Sequence, residues 1–143
     1  MKKLIVCPKP SGNTFKVCDA VAGELGVELK IVDETTRMDL EGYDIVVLAS
    51  GVYGNHVHNN LIKWIENLRD INSNTRFYLF LTWFGRGNSD KLAFKEVKNL
   101  MEGKGIELGD NYMQCFGKGM GFVRRSHPNE EDCKNVLSWV KNL

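Results

Sequence analysis

Two hydrophobic periods alternate along this chain. Nearly continuous apolar runs occupy Lys3 to Cys7, Asp44 to Ala49 (with Ile45-Val46-Val47-Leu48 inside it) and Arg76 to Thr82. Runs of that kind mark strands covered on both faces, as in a parallel sheet. A shorter strand is expected at Glu28 to Val32, and a weaker fifth around Asn111 to Phe116, with Ile106-Glu107-Leu108 leading in. Between them the period is helical. Val17, Val21 and Leu25 recur every four residues ahead of Gly26, a suitable C-terminal cap. Leu61, Trp64, Ile65 and Leu68 form a second stripe, and Ala93, Val97 and Leu100-Met101 a third. Cys133, Val136-Leu137 and Val140 form the last, behind a helix start at His127-Pro128-Asn129-Glu130-Glu131. Trp64 and Trp139 fall within these stripes and are expected in the core. No internal repeat or low-complexity stretch interrupts the pattern.

Strand–helix alternation of this kind predicts an α/β fold, because each crossover helix must return to the same sheet. Five strands suit a three-layer, doubly wound, five-stranded parallel sheet of order 2-1-3-4-5, as a single domain over residues 1–143. In such sheets ligands sit beyond the carboxyl ends of the strands, where the strand order reverses. The informative loops are therefore those after the first, third and fourth strands.

Bulk composition narrows the field. With 143 residues, 43% of them hydrophobic, the chain can build a proper core, and a domain of this size buries roughly 68–70% of its unfolded surface. The apolar run behind Met1-Lys2-Lys3 stops at Pro8, too short for a signal peptide or a membrane span, so a cytoplasmic protein is expected. The four cysteines, Cys7, Cys18, Cys115 and Cys133, have no close pair and no neighbouring histidine, which argues against zinc or a redox Cys-x-x-Cys. They read as small hydrophobes, two in strands and two in helices. A net charge of +1 gives no field for nucleic acid. Lys2-Lys3, and Lys118 with Arg124-Arg125, read as solvated surface.

The loops then exclude several chemistries. A phosphoacceptor receiver needs acids after the first strand and an aspartate closing the third; the chain has Cys7-Pro8 and Ala49-Ser50 there. A small tyrosine-phosphatase-like enzyme would use Cys7 as nucleophile, but Asn13 stands where its arginine clamp must be. A Walker loop is absent, and the triplet Gly117, Gly119 and Gly121 is spaced wrongly for a dinucleotide fingerprint and follows the last strand. It reads as a flexible loop bordering the ligand region.

Three turns remain. After the first strand comes Lys9-Pro10-Ser11-Gly12-Asn13-Thr14, after the third Ser50-Gly51-Val52-Tyr53-Gly54-Asn55, and after the fourth Thr82-Trp83-Phe84-Gly85-Arg86-Gly87-Asn88. The first aims amides and hydroxyls at one point at the positive end of a helix, a place to hold a phosphate. In that order, these turns resemble the flavodoxins of the short-chain type, whose FMN phosphate loop reads Ser/Thr-x-Thr/Ser-Gly-x-Thr. The resemblance implies an FMN-binding, low-potential electron carrier in which no residue is catalytic and no metal is bound. By the same resemblance, the Ser11 and Thr14 hydroxyls and the Gly12, Asn13 and Thr14 amides hold the phosphate, and Tyr53 lies against the isoalloxazine. The Gly54–Asn55 peptide flips to accept a hydrogen bond from N5–H of the half-reduced ring, a move glycine tolerates because positive φ costs it little.

Four departures from the family pattern stand out. Lys9 replaces the first hydroxyl, and either pairs with the phosphate dianion or points to solvent. Pro10 removes an N–H. Arg86 stands where some members carry the outer aromatic; it stacks on the ring, or Trp83 or Phe84 serves instead. The chain is also not acidic, and with Arg86 this is expected to stabilise the anionic reduced flavin. His56 and His58, just beyond, are not expected to form a metal site alone. The implied partners are a donor reductase and an acceptor oxidoreductase, met by a monomer, with no nucleic acid or membrane. Two other readings stand beside the carrier: an NAD(P)H-dependent flavin or quinone reductase, and a binding module of the same fold without FMN.

Overall fold

The computed structural model of the chain describes residues 1–69, 71–117 and 126–143. Its elements run β1 (Lys3–Cys7), α1 (Gly12–Leu25), β2 (Glu28–Ile31), β3 (Ile45–Tyr53), β4 (His56–Val57), α2 (Asn59–Glu66), β5 (Arg76–Trp83), α3 (Ser89–Glu102), β6 (Met113–Phe116) and α4 (Glu130–Lys141). The main sheet is parallel in the order β2-β1-β3-β5-β6. That is the expected order, with the short β4 added off its path.

Alternation along the strands divides the core. In β1, Leu4 and Val6 face one layer and Ile5 the other, as the two-residue period of a strand requires. Leu61, Trp64 and Ile65 of α2, with Ala93, Val97 and Met101 of α3, cover the first face. Val17, Cys18 and Val21 of α1, with Val136 and Val140 of α4, cover the second. Both faces of β3 are thereby buried from Ile45 to Gly51. β3, the middle strand, contains no charged position for the same reason. Trp64 is buried as expected, whereas Trp139 is half-buried at the rim and its indole N–H donates to Asn111 Oδ1 at 3.3 Å.

Three boundaries differ from the sequence reading. The first helix, read in the sequence from its stripe at Val17, Val21 and Leu25, already starts at Gly12, because Ser11 is extended and Gly12, at φ +90°, turns the chain straight into it. The third strand, expected to end at Ala49, continues through Ser50 and Gly51 to Tyr53. Gly51 stays in register with Thr82 of β5, and Val52 and Tyr53 pair antiparallel with Val57 and His56. Small residues that read as a turn are thus the end of a strand, and the turn itself is Gly54-Asn55 at φ +64° for the glycine. β6 is shorter than expected, joined upstream only by a bridge between Leu108 and Phe77. Lys118, Gly119, Gly121, Arg124 and Arg125 lie outside the described residues. Among the described residues, no helix is long and apolar enough to cross a membrane.

Candidate functional site

The parallel order places the carboxyl ends of β1, β3 and β5 side by side, and the three turns singled out in the sequence meet there. A cleft of ≈ 340 Å³ is lined by Lys9, Gly12, Asn13 and Thr14 from the first turn, by Gly51, Val52 and Tyr53 from the second, and by Thr82 and Phe84 from the third. Three larger hollows, of ≈ 410, ≈ 550 and ≈ 480 Å³, lie elsewhere among the described residues: one at the amino end of β5, one between α2 and the segment before β3, and one at the amino ends of β1 and β2. None collects a helix amino-terminus, and none gathers all three turns.

The first turn is fixed from inside the protein. Thr14 is buried, and its hydroxyl meets that of Thr82 at 2.8 Å, which ties the first turn to β5. Its hydroxyl therefore points into the fold as well as bordering the cleft. Asn60 Nδ2 donates to the Pro8 carbonyl at 3.0 Å from the start of α2. The Cys7 thiol turns inward to the Lys9 carbonyl at 3.4 Å and is fully buried. Its partnership with the Cys18 thiol, helped by the Lys9 backbone and charge, outweighs burial and lowers its pKa, while the same partnership and deeper burial raise that of Cys18.

Ser11 caps α1 by position only: its side chain makes no cap hydrogen bond, and the first helical turn carries no acid. The first amides of a helix have no partner within it, and the helix dipole adds partial positive charge there. Gly12 sits under Lys9, since a Cβ built on it would lie 3.3 Å from Lys9 Cε. Asn13 is packed as tightly from behind: a Cβ on Gly117 would come within 2.6 Å of its Nδ2.

The second turn is a short hairpin held by side chains distant in sequence. The buried Ser50 hydroxyl donates to the Gly51 carbonyl at 2.7 Å and accepts from the His58 amide at 2.9 Å. From α3, Glu96 accepts from the Val57 amide at 3.0 Å and meets His56 Nδ1 at 2.6 Å. His58 caps α2, accepting the Asn60 amide on Nδ1 at 3.0 Å, and burial together with the Lys9 charge lowers its pKa. The two histidines thus have structural work on opposite sides of the hairpin. Tyr53, 48% exposed, packs edge-on to His58 and lies so close to Gly51 that a Cβ there would meet its ring at 3.1–3.2 Å. Only glycine at 51 leaves that space.

The third turn sorts its aromatics. Trp83 turns away from the cleft and stacks on Phe116, with centroids 6.2 Å apart. Phe84, 40% exposed, stays on the cleft. Arg86 is exposed and does not line it, and Gly85 bends the chain at φ +77°. Of the three candidates for the outer face, Phe84 lines the cleft, Trp83 stacks on Phe116 and Arg86 stands exposed two residues beyond Phe84. Pro10 and Ser11 are exposed at its mouth, Ser50 lies beneath the floor, and Gly54 and Asn55 form the hairpin tip. Sequence reasoning missed Asn60 and Glu96 as supports. Each lies dozens of residues from what it holds and repeats no local motif.

These residues fit a flat, phosphorylated ring system. An uncapped helix end free of acids suits an anion, and a Tyr53 ring given room by Gly51, with Phe84 exposed on the same cleft, suits a planar ring. A flavodoxin-domain model matches residues 6–116, more than half of the chain. An uncharacterised protein of Methanocaldococcus jannaschii is 25% identical over 138 residues, covering 92% of this chain and 89% of that one. Among solved structures, oxidised flavodoxin 2 of Bacillus cereus superposes with a TM-score of 0.72 at 18% identity over all of both chains. Rubredoxin oxygen:oxidoreductase of Desulfovibrio gigas gives 0.64 at 14% identity, over 98% of this chain but 34% of its own. At these identities the superpositions speak for the fold alone.

Proposed function

The chain belongs to the flavodoxin family, and from that premise we propose that it binds FMN in the cleft at the carboxyl edge of the sheet and carries electrons between redox proteins. The observation that supports this most is the meeting of three separated turns around an uncapped helix end. FMN, when bound, supplies the redox chemistry. The protein's part is to bind it, orient it and keep water from it. Ser11 and the first amides of α1 would receive the phosphate. Gly51 and Val52 would form the floor, with Tyr53 and Phe84 against the ring. The Ser50 and Glu96 bonds would hold the hairpin base rigid while the Gly54–Asn55 peptide at its tip stays free to turn.

A carrier needs no general acid or base. Docking partners would be a donor reductase and an acceptor oxidoreductase, approached by a monomer in the cytoplasm through the edge of the cleft where Tyr53 and Phe84 are exposed. The test is direct: FMN fluorescence should quench on adding the flavin-free protein, and the complex should show an oxidised flavin spectrum that NADPH alone leaves unbleached. Rapid bleaching by NADPH would make it a reductase. No quenching would make it a binding module of the same fold.

A further inference from the structure

Lys9 is the largest departure from the family pattern, and the structure shows where its side chain goes. A Cβ on Gly12 would lie 3.3 Å from Lys9 Cε and 3.6 Å from Nζ, so the stem runs across the first residue of α1. The ammonium then stands 5.8 Å from the centre of the Tyr53 ring. Lys9 borders the same cleft as Gly12 and Thr14. Among the described residues, no carboxylate lies within ion-pair reach of it.

The surroundings make that charge costly to leave alone. It stands at the positive end of α1, in a turn with no acid. Behind burial, it also contributes to lowering the pKa of neighbouring His58. An ammonium held over the first residue of a helix amino-terminus forms a receptor for a compact dianion. A lysine meets phosphate as a point charge with rotatable donors and needs no fixed fork.

We propose that Lys9 is the phosphate-selecting residue of this site: its ammonium takes over from the missing hydroxyl and the missing Pro10 N–H, so that the cleft chooses a phosphorylated flavin over an uncharged one by charge. This rests on the FMN reading above. The competing role is purely local, with the ammonium fixing Tyr53 through its ring face. The two differ in what they discriminate. A phosphate contact is lost only for FMN, whereas a misplaced Tyr53 weakens FMN and riboflavin alike.

The experiment titrates flavin-free wild type, Lys9→Met and Lys9→Arg with FMN and with riboflavin, following flavin fluorescence at low and high ionic strength. Methionine keeps the apolar stem over Gly12 and removes the charge. The Lys9→Met variant is expected to bind FMN about ten- to hundredfold more weakly, the worth of a charge-assisted hydrogen bond, with riboflavin changed less than about twofold. Lys9→Arg should recover most of the FMN affinity. The wild type should lose FMN affinity with salt more steeply than Lys9→Met, because a screened charge is what they differ by. Equal weakening of both flavins, or no change in either, overturns the role of Lys9 while leaving FMN binding intact. A wild type that binds neither flavin overturns the FMN reading and this inference with it.

Discussion

The amino-termini of α1 and α4 face the same structural problem and solve it in opposite ways. α4 opens on a closed ring of bonds: Asn129 Oδ1 accepts the Asp132 amide at 2.9 Å, and Asp132 Oδ2 accepts the Asn129 amide at 2.8 Å. Glu130, Glu131 and Asp132 fill its first turn with negative charge, and His127 Nδ1 lies 2.6 Å from Asp132 Oδ2. Its amides and its dipole are satisfied by its own side chains. α1 has a residue of the right type, Ser11, in the right extended conformation, yet the hydroxyl makes no cap bond, the first turn is neutral, and a lysine lies over it. A helix start that serves only stability looks like α4. α1 keeps neither a bonded cap side chain nor an acid in its first turn, so its stability is drawn from elsewhere.

The first way to break this contrast is to ask what fixes α1 instead of a cap. The buried Thr14–Thr82 hydroxyl pair is the candidate. Replacing Thr14 with Val keeps the shape and leaves the Thr82 hydroxyl, itself 3% exposed, without that partner. The flavin-free protein should lose about 1–3 kcal/mol in urea unfolding. A loss well under that range would mean the turn is held by backbone alone, and the contrast would lose its structural half.

A smaller pair of changes sharpens the same point. Asn129→Ala opens the capping box of α4 and should cost about 1 kcal/mol. Ser11→Ala should alter the stability of the flavin-free protein by no more than a few tenths, because no intramolecular bond is lost. Matched urea curves for the two variants decide it. Equal losses would show that α1 is capped after all, and that its hydroxyl is not held in reserve.

Much of this could be read in the sequence, for identifiable reasons. The strand order followed from apolar runs whose length matches two-sided burial, as in Ile45 to Leu48. The start of α4 followed from Pro128-Asn129-Glu130, a local signal with a local cause. The cleft followed from topology, which sends every carboxyl end to one edge. What escaped was long-range or conformational. Ser50 and Gly51 read as a turn because their size says nothing of the register with β5. The Thr82 hydroxyl that Thr14 meets has no sign in the sequence, because only the fold brings the two face to face. Glu96 and Asn60 carry no motif, and their work appears only when α3 and α2 are laid beside the hairpin and the first turn. Arg86, Trp83 and Phe84 stood as alternatives for the outer face in the sequence, and only the fold shows that Phe84 is the one lining the cleft.

The start of α2 offers a third solution and the finest test, since its cap can be switched. His58 Nδ1 accepts the Asn60 amide at 3.0 Å, which requires that nitrogen to be unprotonated. Burial and the Lys9 charge hold its pKa below the ordinary 6.5. The unfolded chain therefore takes up a proton near the ordinary value while the folded chain still resists, so unfolding consumes protons in that window. The contribution is complete above the unfolded pKa and is lost as pH falls from there through the folded one. His58→Asn keeps a cap acceptor and cannot titrate. Stability measured from about pH 7 to pH 5 should fall less steeply in this variant than in the wild type, by less than the Asn129→Ala effect. His56 and His127 remain in both proteins, so they cancel in the difference. Lys9→Met should give an intermediate slope, because it removes the second cause of the shift and leaves the first. A wild type and His58→Asn with the same slope would show that the imidazole does not switch, and the α2 cap would then join α4 as a fixed one.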